Sequence, residues 1–264
     1  MKLDRRYVEK PWGITDLPPI FDPPAGKRIG EVWFTGGGDL PLLLKYIFTS
    51  ERLSVQVHPD DAYARAHGLP HGKTECWYIL DARPGATIAL GLLREVGKEE
   101  LRAAALDGSI ERLMDWKPVR SGDFFLVPPG TVHAIGDGIT LLEFQQNIDL
   151  TYRLYDYGRP RELHLEDGIA VSNPAPYPAG LAQHLTGGET RTLVDGPHFT
   201  LVHTTHDALA DRQRWIIPVE GEVRSGEDRA GPGECLLLGP GATLEAGDAR
   251  LLVGARSGRS APAR

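Results

Sequence analysis

The sequence predicts an all-β-dominated fold of two related units, with one short helical excursion in the first. Three observations carry that reading. Short alternating apolar and polar segments are separated by turns throughout, supplied by 31 glycines and 21 prolines in 264 residues. Only one stretch, residues 99–116, has sustained helical spacing, with Leu101, Ala104 and Ala105 recurring on one face and Glu99 and Glu100 at its positive end. Finally, residues 121–133 and 232–244 align without a gap, so that Gly233 answers Gly122, Glu234 answers Asp123, and Pro240 and Gly241 answer Pro129 and Gly130. That is an internal repeat of one supersecondary unit.

The first fifty residues form a strand-and-turn opening punctuated by Pro11, Gly13, Pro18, Pro19, Pro23, Pro24 and the glycines at 36–38. Glu31 and Trp33 are two apart and share a strand face. Residues 42–48 form a strand whose apolar density predicts burial on both sides. Lys45 interrupts that run, either as a lysine snorkelling from a strand end or as an anion-binding group.

Residues 53–58 alternate as a half-buried strand, with Val55 and Val57 on one face and Gln56 and His58 on the other. Pro59 ends the strand because it cannot donate to the ladder, and Asp60 and Asp61 start a short helix over 62–67. Taken alone, one histidine on a strand is more often a satisfied structural group than a ligand. Lys73, Glu75 and Trp77 alternate on one face of the next strand, and a turn at Arg83, Pro84 and Gly85 feeds a strand over 86–90. The helical stretch 99–116 is broken at Asp107 and Gly108.

Residues 121–135 are the most specific segment. Gly122, Pro128, Gly130 and His133 fit the spacing G-x5-P-x-G-x2-H, which resembles the second motif of the cupin superfamily of small β-barrels. Physically it is a strand, a Pro-Gly turn, and a return strand that presents a histidine to the interior. Strands over 139–147, with Leu141, Glu143 and Gln145 on one face, and over 151–156 follow, then a short helix over 164–171. Pro174, Pro176 and Pro178 mark 172–180 as a linker, which divides the chain into a metal-binding catalytic unit, 1–172, and a degenerate metal-free unit, 173–264. In the second unit Leu244 stands where the first has His133. Residues 256–264 read as a frayed tail.

Composition narrows the chemistry. With 41% hydrophobic and 25% charged residues the chain can bury a core without staples. Cys76 and Cys235 are its only cysteines, too few for a disulfide framework or a thiolate site, so a metal must be held by nitrogen and oxygen. A formal charge of -7 argues against nucleic acid or an anionic membrane as partner, and an anionic ligand would need locally placed positive charge. No run of eighteen apolar residues and no charged-then-apolar leader is present, so a cytoplasmic location is expected.

The inward positions Gln56, His58, Glu75 and His133 assemble two imidazoles, a carboxylate and an amide oxygen, a ligand set suited to one catalytic Zn²⁺ per chain. Such a site keeps about one net positive charge and attracts anionic oxygen. The alternative is a pair of lining histidines hydrogen-bonded to Glu75 in a metal-free barrel.

The segments Gln56-Val57-His58-Pro59-Asp60, Gly72-Lys73-Thr74-Glu75, residues 128–133, and Glu143 to Asn147 continuing to Tyr152 and Arg153 resemble the signature series of the type I mannose-6-phosphate isomerase family, in its short bacterial form. The resemblance runs from about Pro11 to about Arg161. It implies a double cupin fold of two jelly-roll β-barrels, a zinc held by Gln56, His58, Glu75 and His133, a catalytic Arg153, and Lys73 and Glu143 in the active site. It also implies a small phosphosugar substrate. Ile148 departs from the serine often found in relatives, and the long helical insertion of larger members does not fit this length. By its residues alone, Arg153 could equally form a surface ion pair with Asp149 or Asp156. Two other functions use the same frame: a non-catalytic sugar-binding cupin, which has no use for Lys73, Glu143 and Arg153 around a metal, and an iron-dependent cupin oxygenase, which uses two histidines and a carboxylate with open positions.

Overall fold

The computed structural model describes residues 1–258. In chain order the strands and helices of the first lobe are β1 (Asp4–Ile14), β2 (Ile29–Thr35), β3 (Leu42–Phe48), β4 (Val55–Val57), α1 (Asp61–Ala66), β5 (Glu75–Ala82), β6 (Thr87–Leu92), α2 (Lys98–Asp107), α3 (Ile110–Leu113), β7 (Met114–Pro118), β8 (Asp123–Val127), β9 (His133–Ile135), β10 (Ile139–Gln146), β11 (Tyr152–Tyr155) and α4 (Leu165–Val171). The chain continues through β12 (Ala182–His184), β13 (Arg191–Asp195), β14 (Phe199–Thr204), β15 (Arg214–Glu220), β16 (Val223–Ser225), β17 (Asp228–Ala230), β18 (Leu236–Leu238) and β19 (Arg250–Arg256).

A seven-stranded sheet in the order β1-β2-β3-β10-β5-β8-β12 faces a five-stranded sheet, β11-β4-β9-β6-β7. Ile47, Trp77, Ile79 and Leu141 from the first meet Ile88, Leu90 and Ile135 from the second in one buried cluster. The fold is thus a cupin-like β-sandwich, and the expected closed barrels are open sheets packed face to face.

The other face of the seven-stranded sheet is also buried. Tyr46, Phe48, Leu142 and Phe144 pack there with Phe199, Trp215, Leu237 and Leu252 of the second lobe, whose own sheet runs β13-β14-β19-β15-β18. This explains why all seven residues of β3 are buried. The outer face of the five-stranded sheet is covered by helices. Val55 and Val57 of β4 meet Leu101, Ala104 and Ala105 of α2, Ile110 of α3 and Ile169 of α4. That parity turns Gln56 into the space between the two sheets.

Several expectations move. The helical reading of 99–116 overshoots, because Gly108 ends α2 in the left-handed region at φ 79° and residues 114–118 become β7. There Trp116 pairs with Ala89 and Lys117 with Ile88, which gives β6 a partner on its open side. Lys45 does not snorkel: it is at the centre of β3 and buried. The proline-rich stretch from 172 lies on the first lobe, with Val96 N–H donating to the Pro174 carbonyl and the Tyr177 hydroxyl to that of Leu126. β12 then pairs with β8. We propose the metal-binding and metal-free units as two domains, with the first sheet carried through to β12. Arg256 closes β19, and the rest of the expected tail beyond 258 is outside the described residues.

The repeat is visible in the backbone. Gly122 and Gly233 have φ of 88° and 84°, and Gly130 and Gly241 have 83° and 73°, a region where only glycine is unstrained. Leu244 is buried among Ile216, Leu236, Leu238, Leu251 and Val253, so the second interior is aliphatic where the first is polar.

Candidate metal centre and active site

Three strands or strand ends bring the candidate ligands together. His58 follows β4, Glu75 begins β5 and His133 begins β9, and suitable ligand atoms of all three lie within 4.8 Å of one another. All three side chains are buried. His58 Nε2 is 3.3 Å from Glu75 Oε2, and His133 Nε2 is 3.4 Å from Glu75 Oε1. The turn at Gly130 docks on the His58 segment, since Gly130 N–H donates to the His58 carbonyl at 2.9 Å. Gln56 opposes His133 across β4 and β9, its amide nitrogen 3.1 Å from His133 Nε2, while Gln56 Oε1 accepts from the Ser54 hydroxyl. Rotated about its last bond, the same amide presents its oxygen inward.

This donor set fits a divalent cation. His133 Nδ1 donates to the Thr131 carbonyl at 2.9 Å, which leaves the Nε2 lone pair facing Glu75. Burial holds both imidazoles below their ordinary pKa, for His58 well below with Lys73 and His133 adding to the effect, so both favour the neutral form that binds metal. Burial alone would raise the Glu75 carboxyl, but the Lys73 ammonium and then His133 overrule it and bring it to about 2. Glu75 is therefore a carboxylate across the physiological range.

A row of alternating charge crosses the sheet beside these ligands. Lys73 Nζ lies 2.6 Å from Glu75 Oε2, 3.1 Å from Glu143 Oε1 and 3.3 Å from His58 Nε2. Burial would discharge Lys73, yet Glu143 and Glu75 outweigh it and raise the ammonium's pKa. Lys45 Nζ continues the row 3.4 Å from Glu143 Oε2 and 3.9 Å from Glu31 Oε1, and Lys10 follows 3.5 Å from Glu31 Oε2. Such buried charges persist only when paired. Three lysines and three glutamates cancel within the row, so a cation held by His58, Glu75 and His133 would supply the excess positive charge.

These groups open onto a cleft of about 360 Å³, lined among others by Gln56, Lys73, Glu75, Glu143 and Arg153. Arg153 pairs with Gln56 across β11 and β4, and its Nε donates to the Glu162 carbonyl at 2.9 Å. The surface ion pair considered from the sequence goes elsewhere: Asp156 is taken by Arg159 and Arg161. Of the residues proposed from the sequence, Gln56, Lys73, Glu75, Glu143 and Arg153 line this cleft, and His58 and His133 are buried against Glu75. Sequence reasoning missed Lys10, Trp12, Arg161 and His164, which also line the cleft. Lys10 and Trp12 lie two apart on β1, where Lys10 meets Glu31, but Pro11 between them hid an eleven-residue strand.

No family model matches the chain. The mannose-6-phosphate isomerase of Streptococcus mutans is 48% identical over 171 residues, which cover 61% of this chain and 53% of that protein. ManA, the mannose-6-phosphate isomerase of Bacillus subtilis, is 45% identical over 208 residues, covering 72% and 66%. The putative mannose-6-phosphate isomerase YvyI of the same organism is 38% identical over 224 residues, covering 78% and 67%. The chain thus spans between about half and two thirds of the length of these curated relatives. Among solved structures, a mannose 6-phosphate isomerase from Bacillus subtilis superposes with a TM-score of 0.81 at 27% identity, over 96% of this chain and 98% of that one. A variant of phosphomannose isomerase from Salmonella typhimurium shares the fold, with a TM-score of 0.72 at 16% identity over 97% and 99% of the two chains. The relatives at 38–48% identity place the chain in the mannose-6-phosphate isomerase family.

Proposed function

We propose that the chain is a zinc-dependent aldose-ketose isomerase that interconverts mannose 6-phosphate and fructose 6-phosphate, with one metal ion held by Gln56, His58, Glu75 and His133. The observation that carries this reading is the buried His58, Glu75 and His133 group, whose Glu75 lines a cleft together with Lys73, Glu143 and Arg153. Two imidazoles, a carboxylate and an amide oxygen suit zinc, and a bound divalent ion there supplies Lewis-acid polarisation of sugar oxygens.

The chain's own residues do the rest. Lys73, held between Glu75 and Glu143, donates to the oxygens on C1 and C2 as negative charge develops on them. Glu143, ion-paired with Lys73 and Lys45, would carry the proton between C2 and C1. Arg153 presents a planar fork of donors suited to phosphate or to the enediolate. Lys10, Lys45 and Lys73 are matched by Glu31, Glu75 and Glu143, and Arg161 by Asp156, so Arg153, whose side chain donates to a neutral carbonyl, together with a bound cation would supply the local positive charge an anionic sugar needs.

A coupled assay of mannose 6-phosphate conversion, run with and without chelator and again after adding back zinc, tests this. Conversion that stops with chelator and returns with zinc is expected. A zinc-loaded, folded protein that leaves mannose 6-phosphate unchanged sinks the reading.

A further inference from the structure

We propose that Asp61 and Gln146 are positioning residues that fix Lys73 in the site, an inference that rests on the isomerase reading above. Neither residue lies among the candidate ligands or donors, yet together they hold the loop that carries Lys73. Gln146 ends β10, is buried, and uses both ends of its amide. Its Oε1 accepts from Thr74 N–H at 2.8 Å, and its Nε2 donates to Asp61 Oδ1 at 3.1 Å. Asp61 Oδ1 also accepts from Gly72 N–H at 2.9 Å. Between those two amides, Lys73 N–H donates to the Pro59 carbonyl at 3.0 Å. Three consecutive backbone donors are thus each taken by a group from the segment after His58 or from β10.

The loop can lie this close only because residue 72 is glycine. A Cβ there would be 2.4 Å from the Pro59 carbonyl oxygen and from the Asp60 carbonyl carbon. The result joins two parts of the site: the turn that follows His58 and the strand that carries Glu143 grip the loop from opposite sides. The Lys73 side chain is long and has many rotamers, so its three short contacts to Glu75, Glu143 and His58 depend on where this backbone is fixed. A displacement of about 1 Å at a reacting group can cost about 10²-fold in rate.

The experiment uses the zinc-loaded full chain and three variants, Gln146→Met, which keeps the length and removes both hydrogen bonds, Asp61→Leu and Asp61→Asn. Amide hydrogen exchange over residues 71–74, zinc content, kcat and KM for mannose 6-phosphate are measured for each. Gln146→Met and Asp61→Leu are expected to exchange faster over 71–74, to keep zinc, and to lose about 10- to 100-fold in kcat with a much smaller change in KM. Asp61→Asn, which keeps an acceptor oxygen, is expected to lose less than Asp61→Leu. Unchanged exchange, or fast exchange with full kcat, overturns the inference. Loss of zinc overturns it too, since the pair would then be holding the ligands rather than Lys73. A wild-type chain without activity defeats the isomerase reading instead, while the exchange measurement still reports on the clamp.

Discussion

His133 donates from Nδ1 to the carbonyl oxygen of Thr131, two residues before it, at 2.9 Å. A carbonyl only accepts, so the proton is on Nδ1 and the Nε2 lone pair points at Glu75. The turn that delivers the histidine therefore also sets its tautomer. We predict one tightly bound divalent ion per chain and loss of that ion in His133→Ala. Elemental analysis finding two ions per chain, or undiminished metal in the variant, would count against the assignment.

The second lobe should not take a metal even when offered a ligand. Leu244 occupies the position of His133 but is surrounded by Ile216, Leu236, Leu251 and Val253. Leu244→His is predicted to bind no second ion and to lose roughly 1–3 kcal/mol of stability, because the imidazole finds no partner in an aliphatic interior. Metal titration and denaturant unfolding read the two effects separately.

Cys76 and Cys235 are predicted to be bystanders. Cys76 follows Glu75 on β5 and so faces the opposite side, where its thiol approaches the Phe144 carbonyl at 3.5 Å in the core between the lobes. Burial pushes the Cys76 thiol well above its ordinary pKa, and Cys235 is raised by the same cause. Activity and zinc content should survive Cys76→Ser and Cys235→Ser. Zinc loss in a folded Cys76→Ser protein would show the thiol on the ligand face.

Arg153 offers the sharpest test of mechanism. Arg153→Lys keeps the charge and loses the paired donors, so turnover should fall by about 10²- to 10³-fold. Zinc content and thermal stability should hardly move, since the side chain is not a candidate ligand and donates to a loop carbonyl. Following loss of the C2 deuterium of labelled mannose 6-phosphate to solvent separates the routes, because an enediol allows some washout and a hydride shift allows none. Near-normal turnover in the variant would return Arg153 to a structural role, and zinc loss would make it a residue that holds the site together.

The sequence by itself determined the local pieces: the strands or strand ends that place Gln56, His58, Glu75 and His133, although β4 stops one residue short of His58, and that the second copy of the turn ends in Leu244. Strand parity and glycine-dependent turns are written in two to fifteen neighbouring residues, so they are legible without a fold. Tertiary structure decided what depends on pairing between distant segments. Residues 114–118 have helical composition around them and become β7 because β6 has an open edge. Lys45 looks like an outlier in an apolar strand until β10 and β2 bring Glu143 and Glu31 beside it. Asp61 and Gln146 are 85 residues apart, and neither periodicity nor a short motif can show that both grip the loop of Lys73. The Lys45 contacts come from strand register across the sheet, and the contact between Asp61 and Gln146 from the packing of α1 against the end of β10, both properties of the folded chain and not of any local stretch.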